Sequence, residues 1–346
     1  MDASAADQLA HLIARHEAFW SRGDVRQPLV GTSRWPFITT HDFNWDLAAP
    51  VGHLEPEMLE VGRFLPQYEA RFEERGIFDG DLIWSAMPPR SVPWFEAIVG
   101  CPAFYSLPGG AMSGEAFLTS LDDFDPMATL EANPWFRKLV EFTEGLVDLS
   151  RGRFPVSPPI ARGPWDIVGA ARGTTDMLLD MYDHPQELAR LADTCADVWI
   201  AVTRRLASIV PPWHGGFVSG AGVWAPGYSI FPQNDASVSV SREMYGELMA
   251  PADRRIAQAW AEAIFHLHSA GLQVVDEVLG LLEGRALNVV LDGSGPALEE
   301  LLPVLQHVQA AGAPLHVMAF SRADVDGLVG GLDASGLAIT YQPLPQ

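Results

Sequence analysis

Residues 265–271 read FHLHSAG and place His266 and His268 two positions apart. On an extended strand, side chains alternate between the two faces, so both imidazoles project to the same side. Two neutral imidazoles on one face suit a borderline divalent metal such as zinc. The same pair also suits a polar pocket without metal, each ring hydrogen-bonded and working as a general acid or base. The pattern is compatible with both.

A metal needs further donors. Asp292 closes the strand-like VVLDG, Asp235 lies in FPQNDASVS, Glu277 in VVDEV and His316 in PLHVMAF. Each also has a plain structural role. Asp292 beside Gly293 shapes a turn, Glu277 suits a solvated helix face, and His316 in mid-strand reads as a satisfied core histidine. The expected catalytic set is His266, His268 and Asp235. The expected metal set is His266, His268 and Asp292, with Asp235 as the alternative carboxylate. Arg34 in TSRWPF and Arg162 in IARGPWD follow strand-like stretches. Either would clamp a substrate carboxylate, or form a surface ion pair. Trp35, Trp94 and Trp224 are expected to wall a pocket, although tryptophans also fill cores. Cys101 has no obvious base in its flanks and reads as a small buried hydrophobe. The chain has no Gly-x-Ser-x-Gly elbow, Walker loop or His-Glu-x-x-His motif, and no nucleotide cofactor is expected.

The elements that must carry these residues follow from periodicity. In the last hundred residues, AIFHLHS, ALNVVLDG, APLHVMAF and LAITYQP read as strands. Helical segments separate them, and PALEELLPVLQHVQAAG has proline at its start and glycine at its end. Strands alternating with helices make parallel βαβ units. Upstream, VSPPI and GGFVSGAGVW read as strands. TTDMLLDMY, PQELARLADTCADVWIAVTRRLASIV and SREMYGELMAPADRRIAQAWAEA read as helices, the last capped by Ser241. The fold expectation is an α/β chain forming a (β/α)8 barrel, with a doubly wound open sheet as runner-up. GGFVSGAG lacks the dinucleotide-loop spacing that such a sheet favours. Barrel active sites lie at the C-terminal rim, which is where FHLHSAG leads from strand into loop.

The N-terminal half is less regular. Residues 1–27 read as a helical extension and not as a signal peptide. PLVGTS and DLIWSAM read as strands, and EANPWFRKLVEFTEGLVDLS as a helix. Residues 85–115 form a proline-broken aromatic insertion, expected either as a pocket wall or lid or as a surface loop.

The chain has 346 residues, 44 acidic against 22 basic, for a net charge of −22. That balance argues against nucleic acid and anionic membranes as partners. A small-molecule substrate is expected, and an anionic one needs arginines gathered locally. No run of eighteen apolar residues is present, so no membrane span is expected. Two cysteines, Cys101 and Cys195, make no disulfide framework, and a cytoplasmic location is expected.

Several stretches together resemble the uroporphyrinogen decarboxylase superfamily, which also contains zinc-dependent, corrinoid-linked methyltransferases. They are GPWDIVGAARGTTDMLLDMYDHPQEL, QNDASVSVSREMYGELMAPADRRI, the histidine pair and the VVLDG strand, within residues 153–342, with VPWFEAIVGCPAF upstream. The resemblance implies one barrel over residues 1–346, a cleft at its C-terminal rim, and a homodimer. Two departures bear on activity. The superfamily's N-terminal Arg-x-x-Gly-Arg-Tyr signature is absent, and so is its His-Gly loop after the last strand, so porphyrinogen decarboxylation is not expected. The methyltransferases carry a His-x-Cys zinc pair on the strand matching AIFHLHS. His266 matches the histidine and His268 replaces the cysteine. No later cysteine matches their third ligand, a cysteine near the last strand. The implied zinc site is therefore all nitrogen and oxygen, which suits an oxygen nucleophile better than a thiolate and weakens the case for a corrinoid protein partner. The leading expectation is metal-assisted methyl transfer or related chemistry. A metal-free decarboxylase and a catalytically silent ligand-binding barrel are the alternatives.

Overall fold

The computed structural model describes residues 3–32, 51–106, 111–121 and 124–343. Eight strand positions follow one another along the chain: β1 (Leu29–Thr32), β2 (Leu82–Ile83), β3 (Ala161–Arg162), β4 (Pro232–Gln233), β5 (Glu262–His268), β6 (Ala286–Val290), β7 (Leu315–Ala319) and β8 (Leu337–Tyr341). Parallel ladders join them in the order β1-β8-β7-β6-β5-β4-β3. The circle closes through β2 by single contacts. Asp81 N–H donates to Val30 O at 2.9 Å, and Ala86 and Val156 form an isolated parallel bridge. The architecture is the expected (β/α)8 barrel, and the open-sheet alternative falls away.

Proline explains why one half of the barrel is ragged. Pro155, Pro158 and Pro159 flank or interrupt the chain leading into β3, and Pro232 opens β4. None can donate to a ladder, so these strands pair over only two residues. Strands β5 to β8 lack proline, are buried along their length and pair over four or five positions. GGFVSGAGVW forms a short antiparallel pair, Phe217–Val218 against Trp224–Ala225, and contributes no barrel strand.

The lumen is layered by strand alternation. An apolar floor joins Phe19, Leu29, Leu82, Ile160, Phe231, Ile264, Ala286 and Ala338. One step toward the strand C-termini lies a polar layer of His266, Asn288, His316 and Thr340, all buried. His268, two residues beyond His266, stands at the rim.

Helix α1 (Ala3–Ser21) closes the opposite end and accounts for most of the expected extension. Its Phe19 joins the floor. His16 is buried, with Nε2 2.8 Å from Asp81 O and Nδ1 accepting Trp224 N–H at 3.0 Å. Arg15 pairs with Asp81 beside it.

Helices α2 (Val61–Arg75), α4 (Pro134–Ser150), α5 (Pro164–Arg172), α6 (Thr174–Asp183) and α7 (Pro185–Ile209) ring one side, with the short α3 (Trp94–Val99) above them. Helix α4 starts three residues later than EANPWFRKLVEFTEGLVDLS suggests, for a clear reason: Asn133 caps it by accepting from Trp135 and Phe136 N–H, and proline occupies the first turn. Within residues 85–115, α3 is followed by Ala103–Ser106 and Ala111–Gly114, which join Val51–Leu54 in an antiparallel sheet. Among the described residues, no helix is long and apolar enough to cross a membrane.

Candidate metal centre and its cleft

Strand β5 carries both histidines into the lumen, with ring centroids 5.0 Å apart and planes at 81°. Asp235 follows β4, the neighbouring strand, whose Gln233 pairs in register with His266. Asp235, His266 and His268 each offer one ligand atom, and these lie within 4.8 Å of one another. The Asp235 oxygen Oδ1 is 3.7 Å from His266 Nε2 and 3.4 Å from His268 Nε2. That oxygen is buried and has no hydrogen-bond partner.

The other ring nitrogens are already engaged. His266 Nδ1 lies 2.5 Å from Asn288 Oδ1, and His268 Nδ1 lies 2.6 Å from Asp292 Oδ1. Both rings therefore turn Nε2 toward Asp235. A carboxylate or amide behind each imidazole fixes its orientation, an arrangement common in metal sites. These three residues fit a divalent ion that accepts nitrogen and oxygen donors.

Asp292, the other carboxylate expected as a ligand, lies outside this three-residue cluster. Asp292 sits behind His268, and its other oxygen accepts from Ser269 Oγ (3.0 Å) and Ala270 N–H (3.2 Å). With both oxygens committed, it orients His268, and Asp235 supplies the carboxylate facing the two Nε2 atoms. Glu277 lies apart, holding Arg242 at 2.6 Å on the outer helices. His316 is bonded on both ring nitrogens, as a core histidine should be.

Charge around the centre is strongly tuned. The Asp235 carboxylate, 3.4 Å from Nε2, is the largest influence on His268 and lifts its pKa to about 9, with Asp292 adding to the rise and burial opposing it. Burial lowers His266 to about 4. Burial alone would raise Asp235, but His268, His266 and Arg162 outweigh it and hold the carboxyl below its usual range. Without metal at neutral pH, the centre therefore holds one imidazolium, one neutral imidazole and one carboxylate.

The turn bearing Asp235 is gripped from both sides. Asp166, in the first turn of α5, accepts Asp235 N–H (3.1 Å) and Ala236 N–H (2.7 Å). Burial, aided by the charge of Asp235, lifts Asp166 to about 7. Asn234 donates to Asp253 at 2.6 Å, and Tyr245 O–H donates to the same carboxylate oxygen at 2.7 Å. Tyr245 begins a π-helical turn, Tyr245–Met249, inside the helix that Ser241 caps. Such turns recur near functional sites, and this one aims the tyrosine at Asp253.

A cleft of about 350 Å³ opens beside Asp235, lined among others by Arg90, Ser91, Glu96, Met112, Arg162 and Gln233. A second hollow of about 460 Å³ shares Arg162 and Asp235 with it. Arg162 ends β3 and reaches Glu96 at 3.3 Å. Glu96 is buried, which raises its pKa. Burial lowers Arg90 to about 10, and the charge of Asp235 opposes the drop. Ser91 Oγ is buried with no hydrogen-bond partner. The cleft thus gathers two guanidinium groups in a strongly acidic chain.

Of the other expected pocket residues, Trp94 contributes to the cleft wall, but its ring packs edge-on against Trp135 and Phe142, and its Nε1–H is taken by Pro89 O. Trp224 lies at the far end of the barrel, where its Nε1–H donates to Trp213 O at 3.2 Å, so the expected substrate contact is corrected to a core role. It precedes barrel strand β4, and residues before a barrel strand lie at the N-terminal face. Arg34 and Trp35 fall outside the described residues. Cys101 and Cys195 are both buried; burial pushes the Cys101 thiol far up and Cys195 to about 12, so neither offers a thiolate. Arg90, Glu96, Asp166 and Asn288 were not singled out from the sequence. Asn288 had a usable signal, since it occupies the alternating inward position on the strand after His266.

No family model matches the chain, and no curated protein matches it. Among solved structures, a methyltransferase from Methanosarcina mazei is similar, with a TM-score of 0.66 and 13% identity over 97% of this chain and 94% of the other. At that identity the likeness is one of fold.

Proposed function

We propose that this chain, acting as one barrel unit, is an enzyme that transfers a methyl group, or catalyses related metal-assisted chemistry, on a small anionic molecule. The observation that carries the reading is the convergence of His266 Nε2, His268 Nε2 and the unpartnered Asp235 Oδ1 within 4.8 Å. A zinc-class ion held there would supply Lewis acidity, lowering the pKa of an oxygen or nitrogen acceptor. The methyltransferase fold of the structural neighbour supports the reaction class at a coarse level. The candidate donor set, nitrogen and oxygen without a thiolate, favours an oxygen or nitrogen acceptor over a thiol.

The chain's own residues divide the remaining work. Arg90 and Arg162 present positive charge to an anionic group on the substrate, and Ser91 Oγ offers it a hydrogen bond. Asp292 holds His268 and Asn288 holds His266. Asp166 and Asn234 fix the backbone on either side of Asp235. The location at the rim of β3, β4 and β5 is the usual one for barrel enzymes.

One observation favours a second reading, decarboxylation without metal. His268 is an imidazolium at neutral pH and stands ready to donate a proton to a carbanion-like carbon. Chelation separates the two. The first reading expects turnover to be lost when the protein is stripped by a chelator and restored by zinc. Activity that survives complete metal removal contradicts it and supports the second.

A further inference from the structure

Four buried polar side chains cross the lumen on consecutive strands: His266 on β5, Asn288 on β6, His316 on β7 and Thr340 on β8. His266 Nδ1 meets Asn288 Oδ1, Asn288 Nδ2 lies 2.9 Å from His316 Nδ1, and His316 Nε2 lies 2.7 Å from Thr340 Oγ1. The register supports the chain, since His266 pairs with Asn288 and Asn288 with His316.

The direction of this chain is decided by one backbone group. Asn288 Nδ2 also donates to His316 O at 3.2 Å, and a carbonyl oxygen can only accept. That places the amide NH2 toward β7 and the amide oxygen toward β5. His266 must then donate from Nδ1, leaving a lone pair on Nε2. His316 must accept at Nδ1 and donate from Nε2 to Thr340. The far side of the centre agrees. His266 Nε2 faces Asp235 Oδ1 at 3.7 Å, and that buried oxygen has no hydrogen-bond partner. The His266 lone pair thus faces a carboxylate oxygen that His268 Nε2 also approaches, at 3.4 Å, and a cation among the three would satisfy all of them.

We infer that Asn288, His316 and Thr340 are positioning residues, which lock His266 as its Nδ1–H tautomer and present the Nε2 lone pair to the Asp235 side of the centre. His266 is thereby a ligand or a base and not a proton donor. The use of that lone pair for a metal rests on the function proposed above; the tautomer does not.

The test is nitrogen NMR on the metal-free protein, with the His266 signals assigned by their loss in His266→Gln. The expected wild-type spectrum shows a protonated Nδ1 and a bare Nε2. Asn288→Leu removes the acceptor, and the ring should shift toward the Nε2–H form favoured by free imidazole. In the same variant, zinc affinity should fall about 10- to 100-fold, and Thr340→Val should give a smaller loss. A wild-type spectrum with Nε2–H overturns the inference, whether or not the variants fold. A folded Asn288→Leu protein with unchanged tautomer also overturns it. A correct tautomer in a wild-type protein that takes up no zinc leaves the inference standing and removes the metal reading instead.

Discussion

His268 and His266 are separated by one residue and sit in opposite electrostatic states. His268 faces Asp235 and Asp292 and is partly exposed, so its charged form is favoured. His266 is buried behind it and stays neutral. The pKa of His268 rises on folding from near 6.5 to about 9. Its contribution to stability is therefore fully present below pH 6.5 and is lost as pH rises through about 9. Metal-free wild type should lose stability relative to His268→Gln between pH 7 and 9.5, measured as paired denaturant curves. Parallel curves across that window would show that the imidazolium is not held as described. The histidine pair itself was legible in the sequence, because strand alternation is a local property. The choice of Asp235 over Asp292 was not. Both acids follow barrel strands, and only the folded structure turns Asp292 to His268, Ser269 and Ala270 and Asp235 to the two Nε2 atoms.

At the scale of elements, the site depends on close packing between β3 and β4. Gly163 N–H donates to Gln233 O at 2.8 Å, and a methyl group on Gly163 would collide with that same oxygen. Gly163→Ala should force the strands apart and carry Arg162 away from Asp235. A loss of about 1–3 kcal/mol is expected from such overpacking, read by urea denaturation, together with weakened binding of anionic ligands. Wild-type stability and binding in this variant would show that the approach is not needed. The regular strands β5 to β8 were readable because they are proline-free, mostly apolar segments separated by helical patterns. The proline-broken half was only partly so. VSPPIAR pairs at two separate places, and GGFVSGAGVW turns back on itself, since its register is set by neighbours far away in sequence.

Across the whole molecule, the barrel is closed at one end by α1 and worked at the other. Phe19 is buried in the apolar floor beneath the polar layer. Phe19→Ala should cost about 3–5 kcal/mol in a denaturant titration, although the site lies at the opposite rim. A near-neutral result would mean that α1 is an appendage and not part of the core. Reading residues 1–27 as an extension captured the helix, but its role as a floor is a tertiary fact: His16 and Trp20 bond to Asp81 and Trp224, far along the chain. The strongly acidic composition likewise hid the local arginine pair. Arg90 and Arg162 come together only once β3 and the chain after β2 are neighbours in the barrel. The central claim is that Asp235, His266 and His268 hold a divalent metal. Elemental analysis of protein purified without a histidine tag tests it most directly. The account predicts close to one zinc-class ion per chain, absent from a folded His266→Ala variant. A folded wild-type protein that carries no metal, and takes none from buffered zinc, would contradict it.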